Sequence, residues 1–487
     1  MSETGTLRPA PAGPPSAGPA LRTTPFGAVI ASVVLVELSS GITQGFLSPL
    51  LNGLTGALHV SAADLNWISI ANLLASVAFT PVLSRMGDLY GHRRVLRWNL
   101  AIVLLGSVLV GLSRSFGLLL AGQLLQGAFA GFFPLLVGIL RNRTRRHGDG
   151  GDGESRRGIS LMVAGLTAGV ALGLVASGLL ARSSASPTAA LWVPTAAVGL
   201  ALAVSWPLLP ESAHRPGGRV DWAGGALLCA GLVAIMLGLG QGGAPGWAWT
   251  SPRTFGCLLG GALVTALWVL VELRTAEPMI DVRLFRHRNV VVVSLVALTF
   301  TFGMLGLLVA NPVFLGTAKA EAGYGLGLDP LGISLAMLPN MLALTLGALL
   351  APALARAITD RWVLLAGSLL MAAGYAVEFA SHAALVPFLT ATAVAGLGSG
   401  LLQHATRALA VEAVPPEQTS VGSGINELLI NVGGSIGAAV VLAIFAARTP
   451  AGQALPRIGA YTDSWLVCAA VALAGAAISL CYRGAKK

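Results

Sequence analysis

Charge is scarce in this sequence. Only 10% of its 487 residues are Asp, Glu, Lys or Arg, against about 25% in soluble domains, so a globular surface of this size cannot be covered with polar groups. Disorder is excluded by the opposite shortage, since 55% of the residues are hydrophobic, too many for a chain that stays unfolded. Cysteine is scarce too. Cys229, Cys257, Cys468 and Cys481 lie in or at the end of apolar runs, and no two stand at metal-ligand spacing. They read as small apolar side chains. No G-x-x-x-x-G-K-[ST] loop or other enzyme signature occurs, so neither catalysis nor an ATP-driven pump within the chain is expected, and no cofactor or metal is called for. Residues 1–25 are rich in Pro, Gly, Ala and Ser. They lack the basic start and short apolar core of a cleavable signal peptide and read as a disordered cytoplasmic tail.

What is present in quantity is long apolar runs. Fourteen recur, at about 26–50, 66–86, 96–113, 116–140, 159–181, 188–209, 222–241, 254–273, 290–317, 330–354, 362–380, 384–406, 420–446 and 464–482. A helix that crosses a bilayer needs roughly 20 such residues, and the runs are continuous rather than the alternating ten-residue strands of a barrel. The fold class expected is therefore all-α, a polytopic membrane protein of about fourteen transmembrane helices. The 62 glycines suit close helix packing in lipid.

An even number of spans puts both termini on one side. With the N-terminus inside, only Arg114, Arg182, Arg253, Lys319, Arg448 and Arg457 fall outside, leaving 24 of the 30 basic residues within. The excess of Lys and Arg on cytoplasmic loops then predicts a multi-pass protein of the cell membrane with both termini cytoplasmic. The arginines of the loop 141–158 are explained as topology determinants, and no nucleic-acid partner is expected. The lysine-poor, Ala-, Gly-, Leu- and Arg-rich usage is that of a GC-rich genome, as in actinobacteria.

A weak internal repeat organises the runs. LLQGAFAGFFP (124–134) in helix 4 is echoed by AGLGSGLLQHA (395–405) in helix 12, and GLTAGVALGLVASG (165–178) in helix 5 by GSGINELLINVGGSIG (422–437) in helix 13. The spacing predicts two six-helix pseudo-repeat bundles, 26–211 and 289–483, with helices 7 and 8 inserted in a linker at 212–288 and a short tail at 484–487. Repeated halves in a membrane protein imply alternating access around a midplane site.

Between helices 2 and 3 stands GDLYGHRRVL (87–96). Asp88 ends one helix, Gly91 permits a tight turn, and Arg93 and Arg94 begin the next. A carboxylate facing guanidiniums across a turn makes a charge-assisted latch on the cytoplasmic face; the alternative is a basic turn that only sets topology. This loop resembles the signature loop of the major facilitator superfamily, roughly G-x-L-a-D-x-x-G-R-[KR], with Ser84 at the usual first Gly and His92 offsetting the basic pair. DWAGG (221–225), ELRTAEPMIDVRLFRHR (272–288), LPES (209–212) and AVPPEQTSVGSG (413–424) resemble the fourteen-helix drug:proton antiporter branch of that superfamily. The resemblance covers essentially 26–482 and implies a multidrug or natural-product efflux transporter.

Departures from that pattern bear on coupling. The branch has R-x-x-Q-G in helix 4, whose Arg is tied to proton coupling; here Gln123 takes that place, ahead of Gln126 and Gly127. Helix 5 lacks the proline of G-P-x-x-G-G, running Gly173 to Gly178 without it. The second-half copy of the loop signature is reduced to Asp360 and Arg361.

Carboxyl groups at membrane depth are costly and are functional candidates by default. Three fall inside spans: Glu37, Glu378 and Glu427. Ser40, Gly41, Gln44 and Ser48 follow Glu37 at helical spacing, a polar stripe that must face protein or water. Glu37 is the candidate to take up and release a coupling proton, with Gln44 and Ser48 touching substrate. Glu427, with Gly424 and Asn431 on its face, is a second proton-site candidate or a partner for cationic substrates. Either acid alternatively serves as a structural contact. Glu378 reads as reaching the outer interface. Gln123, Gln126 and Asn340 are further cavity candidates with Asn431. With Asn72, Asn311, Gln403, His404, Asn426 and the rings of Phe129, Phe132 and Phe133, they suggest a mainly apolar cavity for large amphipathic molecules.

The leading reading is a secondary active exporter, expected to act as a monomer whose partners are a small-molecule substrate, protons and the bilayer. A proton-independent facilitator or importer, and a non-transporting membrane sensor or scaffold, remain alternatives. The charge distribution makes one prediction: a green fluorescent protein fused to the C-terminus fluoresces, whereas alkaline phosphatase fused there is inactive. The reverse pattern would invert the topology.

Overall fold

The computed structural model describes residues 25–47, 62–144, 151–182, 190–209, 219–242, 246–414, 418–450 and 455–483. Within them run fourteen long helical rods, as the apolar runs predict. They are α1 (Phe26–Phe46), α2 (Ala62–Tyr90), α3 (His92–Gly111), α4 (Phe116–Gln126 and Phe132–Thr144, joined by a 3-10 turn at Gly127–Gly131), α5 (Gly151–Arg182), α6 (Val193–Leu208), α7 (Trp222–Gln241), α8 (Pro252–Glu272), α9 (Arg288–Gly316), α10 (Pro330–Ile358), α11 (Asp360–Ser381), α12 (Leu385–Glu412), α13 (Thr419–Arg448) and α14 (Ile458–Ser479). Thirteen are long and apolar enough to cross a membrane; α6, at 16 residues, is the short one.

The two largest cores among the described residues lie one in each half. Val29, Leu100, Phe132, Met162 and Val198 join α1, α3, α4, α5 and α6, while Phe300, Ala351, Met371, Phe388 and Trp465 join α9, α10, α11, α12 and α14. With lipid as solvent there is no hydrophobic force between helices, and close approach through small residues takes its place. α1 meets α5 in this way: a Cβ at Gly41 would collide with the Leu166 carbonyl, and one at Gly169 with that of Leu38. The second half repeats the device between α10 and α12, where Gly400 packs on the Leu344 carbonyl and Gly347 on that of Leu397.

The repeat also shows in the backbone of two equivalent turns. Gly91, between α2 and α3, has φ 99°, as a tight turn at that glycine requires. Thr359, between α10 and α11, adopts φ 70° and is the one non-glycine with positive φ among the described residues. A β-branched residue is strained there, so the second turn keeps the first one's shape at a cost.

The inserted pair lies to one side. α7 is capped by Asp221, whose Oδ1 accepts from Gly224 N at 2.8 Å. Leu228 and Met236 of α7 share a core with Val77 of α2 and Leu428 of α13, and the Cys229 thiol donates to the Ala78 carbonyl at 3.3 Å. α8 carries Phe255, Leu259, Leu263, Leu267 and Leu270 exposed along one face, a stripe suited to lipid. The pair thus covers the seam between α2 and α13.

α12 departs from expectation at its end. Its apolar run stops near 406, but the helix continues to Glu412. Arg407, counted with the inner connection in the charge tally, lies inside it and is 3% exposed.

Gly41→Val should overpack α1 against α5 and destabilise the protein by about 1–3 kcal/mol, while Gly256→Ala, with open space around it, should be neutral. Thermal unfolding of the two variants in detergent, followed by size exclusion, measures the difference.

Candidate functional site

A cavity of about 300 Å³ lies between the two halves, walled by α1, α4 and α5 on one side and α9 to α13 on the other. That is at the lower end of the range for drug-sized ligands. Most of its lining is apolar: Phe129 and Phe133 from α4, Val170 from α5, Leu308 from α9 and Met337 and Leu344 from α10. Its polar groups are few and gathered.

Of the residues expected to carry function, Glu37, Gln44, Asn340, Glu427 and Asn431 all line this cavity. Ser48 lies outside the described residues. Ser40 lines it as well and accepts from Gln44 Nε2 at 3.1 Å, so the polar stripe of α1 faces the cavity except at Gly41, which packs on α5. Glu37 is 1% exposed and its Oε1 has no hydrogen-bond partner.

Gln123 and Gln126 correct the expectation that they line the cavity. They turn into the first half instead: Asn72 Nδ2 donates to Gln123 Oε1 at 3.2 Å, Gln123 Nε2 to Gln126 Oε1 at 2.9 Å, and Gln126 Nε2 to Ser107 Oγ at 2.9 Å. This chain satisfies polar groups that lipid cannot and ties α2, α3 and α4 together. Phe132 is likewise in the core of the first half rather than the cavity.

Glu427 is engaged by a partner that sequence reasoning missed. Arg407 Nε and Nη2 donate to its two carboxylate oxygens at 2.6 and 3.0 Å, and Nη1 donates to Gln403 Oε1 at 2.5 Å. The guanidinium also stacks 4.6 Å from the ring centroid of Phe133 on α4, a cation–π contact that crosses between the halves. The signal that could have found Arg407 is spacing: it stands four residues after Gln403, one helical turn on. Glu378 was misread too. It is 1% exposed and lines the cavity with Tyr375 rather than reaching an interface.

Asp88 has other partners than those expected of a latch. Asp88 does not pair with Arg93 or Arg94. Its Oδ1 lies 3.0 Å from His92 Nε2, and its two oxygens accept from the backbone N–H groups of Ser420 and Val421 at 3.2 and 3.1 Å. Those amides are in the first turn of α13, so a carboxylate of the first half caps a helix N-terminus of the second, where anions are favoured. Arg93 and Arg97 instead donate to the Trp206 carbonyl on α6, and Arg94 lies over Trp98. The arginines brace the first half while Asp88 spans the gap. A helix terminus 332 residues away leaves no local mark in sequence, and the adjacent arginines were the obvious, wrong choice.

More bonds join the halves at this same, arginine-rich end. Arg156 of α5 donates to Asp360 at 2.7 and 3.0 Å and to Glu412 at 2.6 and 2.7 Å. Arg141 donates to the Val411 carbonyl and, at 3.3 Å, to Thr419 Oγ1. Ser160 Oγ donates to the Ala348 carbonyl at 2.6 Å. The basic end is closed beneath the cavity, while Gln44, toward the other end of α1, is exposed.

The sequence profile of the Major Facilitator Superfamily matches residues 33–319. The chain is 26% identical over 445 residues to the tetracenomycin C resistance and export protein of Streptomyces glaucescens, covering 89% of this chain and 79% of that one. It is 26% identical over 450 residues to the probable actinorhodin transporter of Streptomyces coelicolor, covering 89% and 74%. The crystal structure of the human organic anion transporter MFSD10 superposes with TM-score 0.66 at 16% identity, over 93% of this chain and 99% of that one, a likeness of fold.

Removing the Asp88 carboxylate strips two charge-assisted bonds from the closed end. Asp88→Ala should move the equilibrium toward separation of that end by about tenfold, the equivalent of roughly 1.4 kcal/mol. Pulsed EPR distances between spin labels at Arg157 and Arg356, in a background without native cysteines, should show a longer-distance population. An unchanged distribution would make the contact incidental to closure.

Proposed function

This chain belongs to the major facilitator superfamily, and we propose that it is a secondary active exporter of amphipathic, drug-like or natural-product molecules, driven by proton antiport through alternating access. The fold makes it a multi-pass membrane transporter; the coupling and the direction are our reading. The observation that carries it is the placement of Glu37 in a mainly apolar cavity, in the electrostatic field shared by Arg407 and Glu427.

Those three groups form a charge switch. With Glu37 ionised, one guanidinium faces two carboxylates and the cluster carries one net negative charge. With Glu37 protonated the cluster is neutral. An uncompensated charge in a low-dielectric interior is costly, so the proton on Glu37 alters which conformer the site tolerates. A cycle follows. With the arginine-rich end read as cytoplasmic, the described conformer is closed inward by Asp88 and Arg156, and the cavity is served from outside. A proton taken up by Glu37 from that side accompanies the return to the inward-open state, and its release inside makes room for cargo.

The cavity lining supports the cargo class. Aromatic and aliphatic walls with a few amides suit amphipathic molecules better than sugars or phosphates, which need many hydrogen bonds or fixed cations. Relatives named for tetracenomycin export and actinorhodin transport point the same way.

A proton-independent facilitator keeps one observation in its favour, the absence of an Arg at Gln123, whose amide is spent on Asn72 and Gln126. Proteoliposome efflux with an imposed pH gradient separates the readings. Glu37→Gln should abolish gradient-driven efflux, by about 100-fold or more in rate, while substrate still binds. A mutant that keeps gradient-driven transport removes Glu37 from the coupling role, and wild-type flux that follows the substrate gradient alone favours the facilitator.

A further inference from the structure

The cavity has a second polar pole. Arg407 lies near the C-terminal end of α12 and Glu427 near the N-terminal end of α13, on the side that Arg141 and Arg156 close, whereas Glu378 lies one turn from the opposite end of α11. Glu378 is 1% exposed, lines the cavity, and its Oε2 has no hydrogen-bond partner. Its surroundings are built rather than incidental. Trp465 Nε1 donates to Asn311 Oδ1 at 3.1 Å, which fixes the orientation of that amide, and Asn311 lines the same cavity as Glu378. An amide whose oxygen is spent on Trp465 presents only donors and offers nothing to a cation.

No basic side chain neutralises this carboxylate among the described contacts. His382, one turn further along α11, directs Nδ1 to the Phe379 carbonyl at 2.9 Å and lays its ring against Phe314 and Trp465. Among the described residues the only guanidinium lining the cavity, Arg407, is spent on Glu427 and Gln403. Buried charges are paired, and here a buried carboxyl group has no counter-charge among the described contacts. Tyr375, one turn before Glu378, lines the same wall and gives an aromatic ring beside it, a favourable neighbour for a cation.

We propose that Glu378 is a subsite that receives the ammonium group of a cationic amphipathic cargo whose apolar body fills the rest of the cavity. The inference rests on the exporter reading for the role of the cavity and adds the charge of the cargo. It divides labour between two acids: Glu37 answers to the proton, Glu378 to the cargo.

A matched pair of probes tests it: dansylcadaverine, which carries a primary ammonium, and its N-acetylated, uncharged twin. Fluorescence titration of the purified full chain in detergent should show the ammonium probe bound at least about tenfold more tightly than the twin, a gap in the range of a charge-assisted hydrogen bond. Glu378→Gln should abolish that preference by weakening the cation alone, and Glu378→Asp, which keeps the charge, should retain part of it. A preference that survives in Glu378→Gln overturns the inference, as does equal weakening of both probes or a wild type that binds neither. A changed pH dependence of efflux in that variant with no change in preference would make Glu378 a proton carrier instead. Proton-driven efflux of the uncharged twin, measured on the same variants in proteoliposomes, keeps the two readings apart. If it persists in Glu378→Gln, export stands whatever the preference does; if it is absent in wild type while the preference is present, export fails and the subsite stands.

Discussion

A guanidinium at membrane depth has to be neutralised, and much of this cavity is arranged around how that is done for Arg407. Glu427 takes two of its N–H groups, Gln403 a third, and Phe133 covers its face. The pair is nearly dry, with side-chain exposures of 4% and 11%, so removing either partner would leave a buried charge at a cost of about 3–5 kcal/mol. Three helices are therefore committed by one residue: α12 supplies it, α13 neutralises it, and α4 of the other half closes over it. Any reaction of Glu37 to a proton takes place against that fixed charge.

The same electrostatics, exercised nearer the surface, shuts the basic end. Asp88 reaches the amides of α13, and Arg156 reaches Asp360 and Glu412. Neither contact is apolar, and under the alternating access proposed above this matters for how the interface would part. Buried carbon would hold the halves together in every conformer, whereas carboxylates and guanidiniums that water can solvate once separated lose less on opening. The inserted α7 contributes the opposite kind of contact, covering the α2–α13 seam with Leu228 and Met236. Polar bonds at the end and apolar packing along the side leave a hinge-like freedom in the direction the polar bonds allow.

How much of this could be read from sequence depended on range. Helix number, the repeat and the inserted pair were legible because hydrophobic run length is a local property. Glu37 was legible because an acid within an apolar run stands out. Arg407 was not, since it sits where the run ends and a basic residue at a run's end is what topology predicts. Glu378 was misread for a related reason: nearness to a helix end suggested exposure, and only the packing of α9 and α14 around it makes it interior. Gln123 and Gln126 show the limit for amides, which serve a cavity or a helix–helix bond equally well until their neighbours are known. Asp88 was recognised as a latch, and its partner was missed because backbone N–H groups at a helix start carry no side-chain signature.

The departures from the antiporter pattern then take on a physical form. The Arg expected on α4 is absent, and its place is filled by a glutamine tied sideways to Asn72. The repeat pairs α4 with α12, and it is α12 that brings a guanidinium into the cavity. Phe133 of α4 lies against it, so the helix that lacks the charge still contacts it. What a coupling site needs is one fixed cation close to a carboxyl group that can carry a proton, held where both halves meet. Which half supplies the cation is not dictated by that requirement. A motif read helix by helix registers a loss at Gln123, whereas among the described residues of the cavity one buried arginine, Arg407, stands among the acids, held from the opposite side.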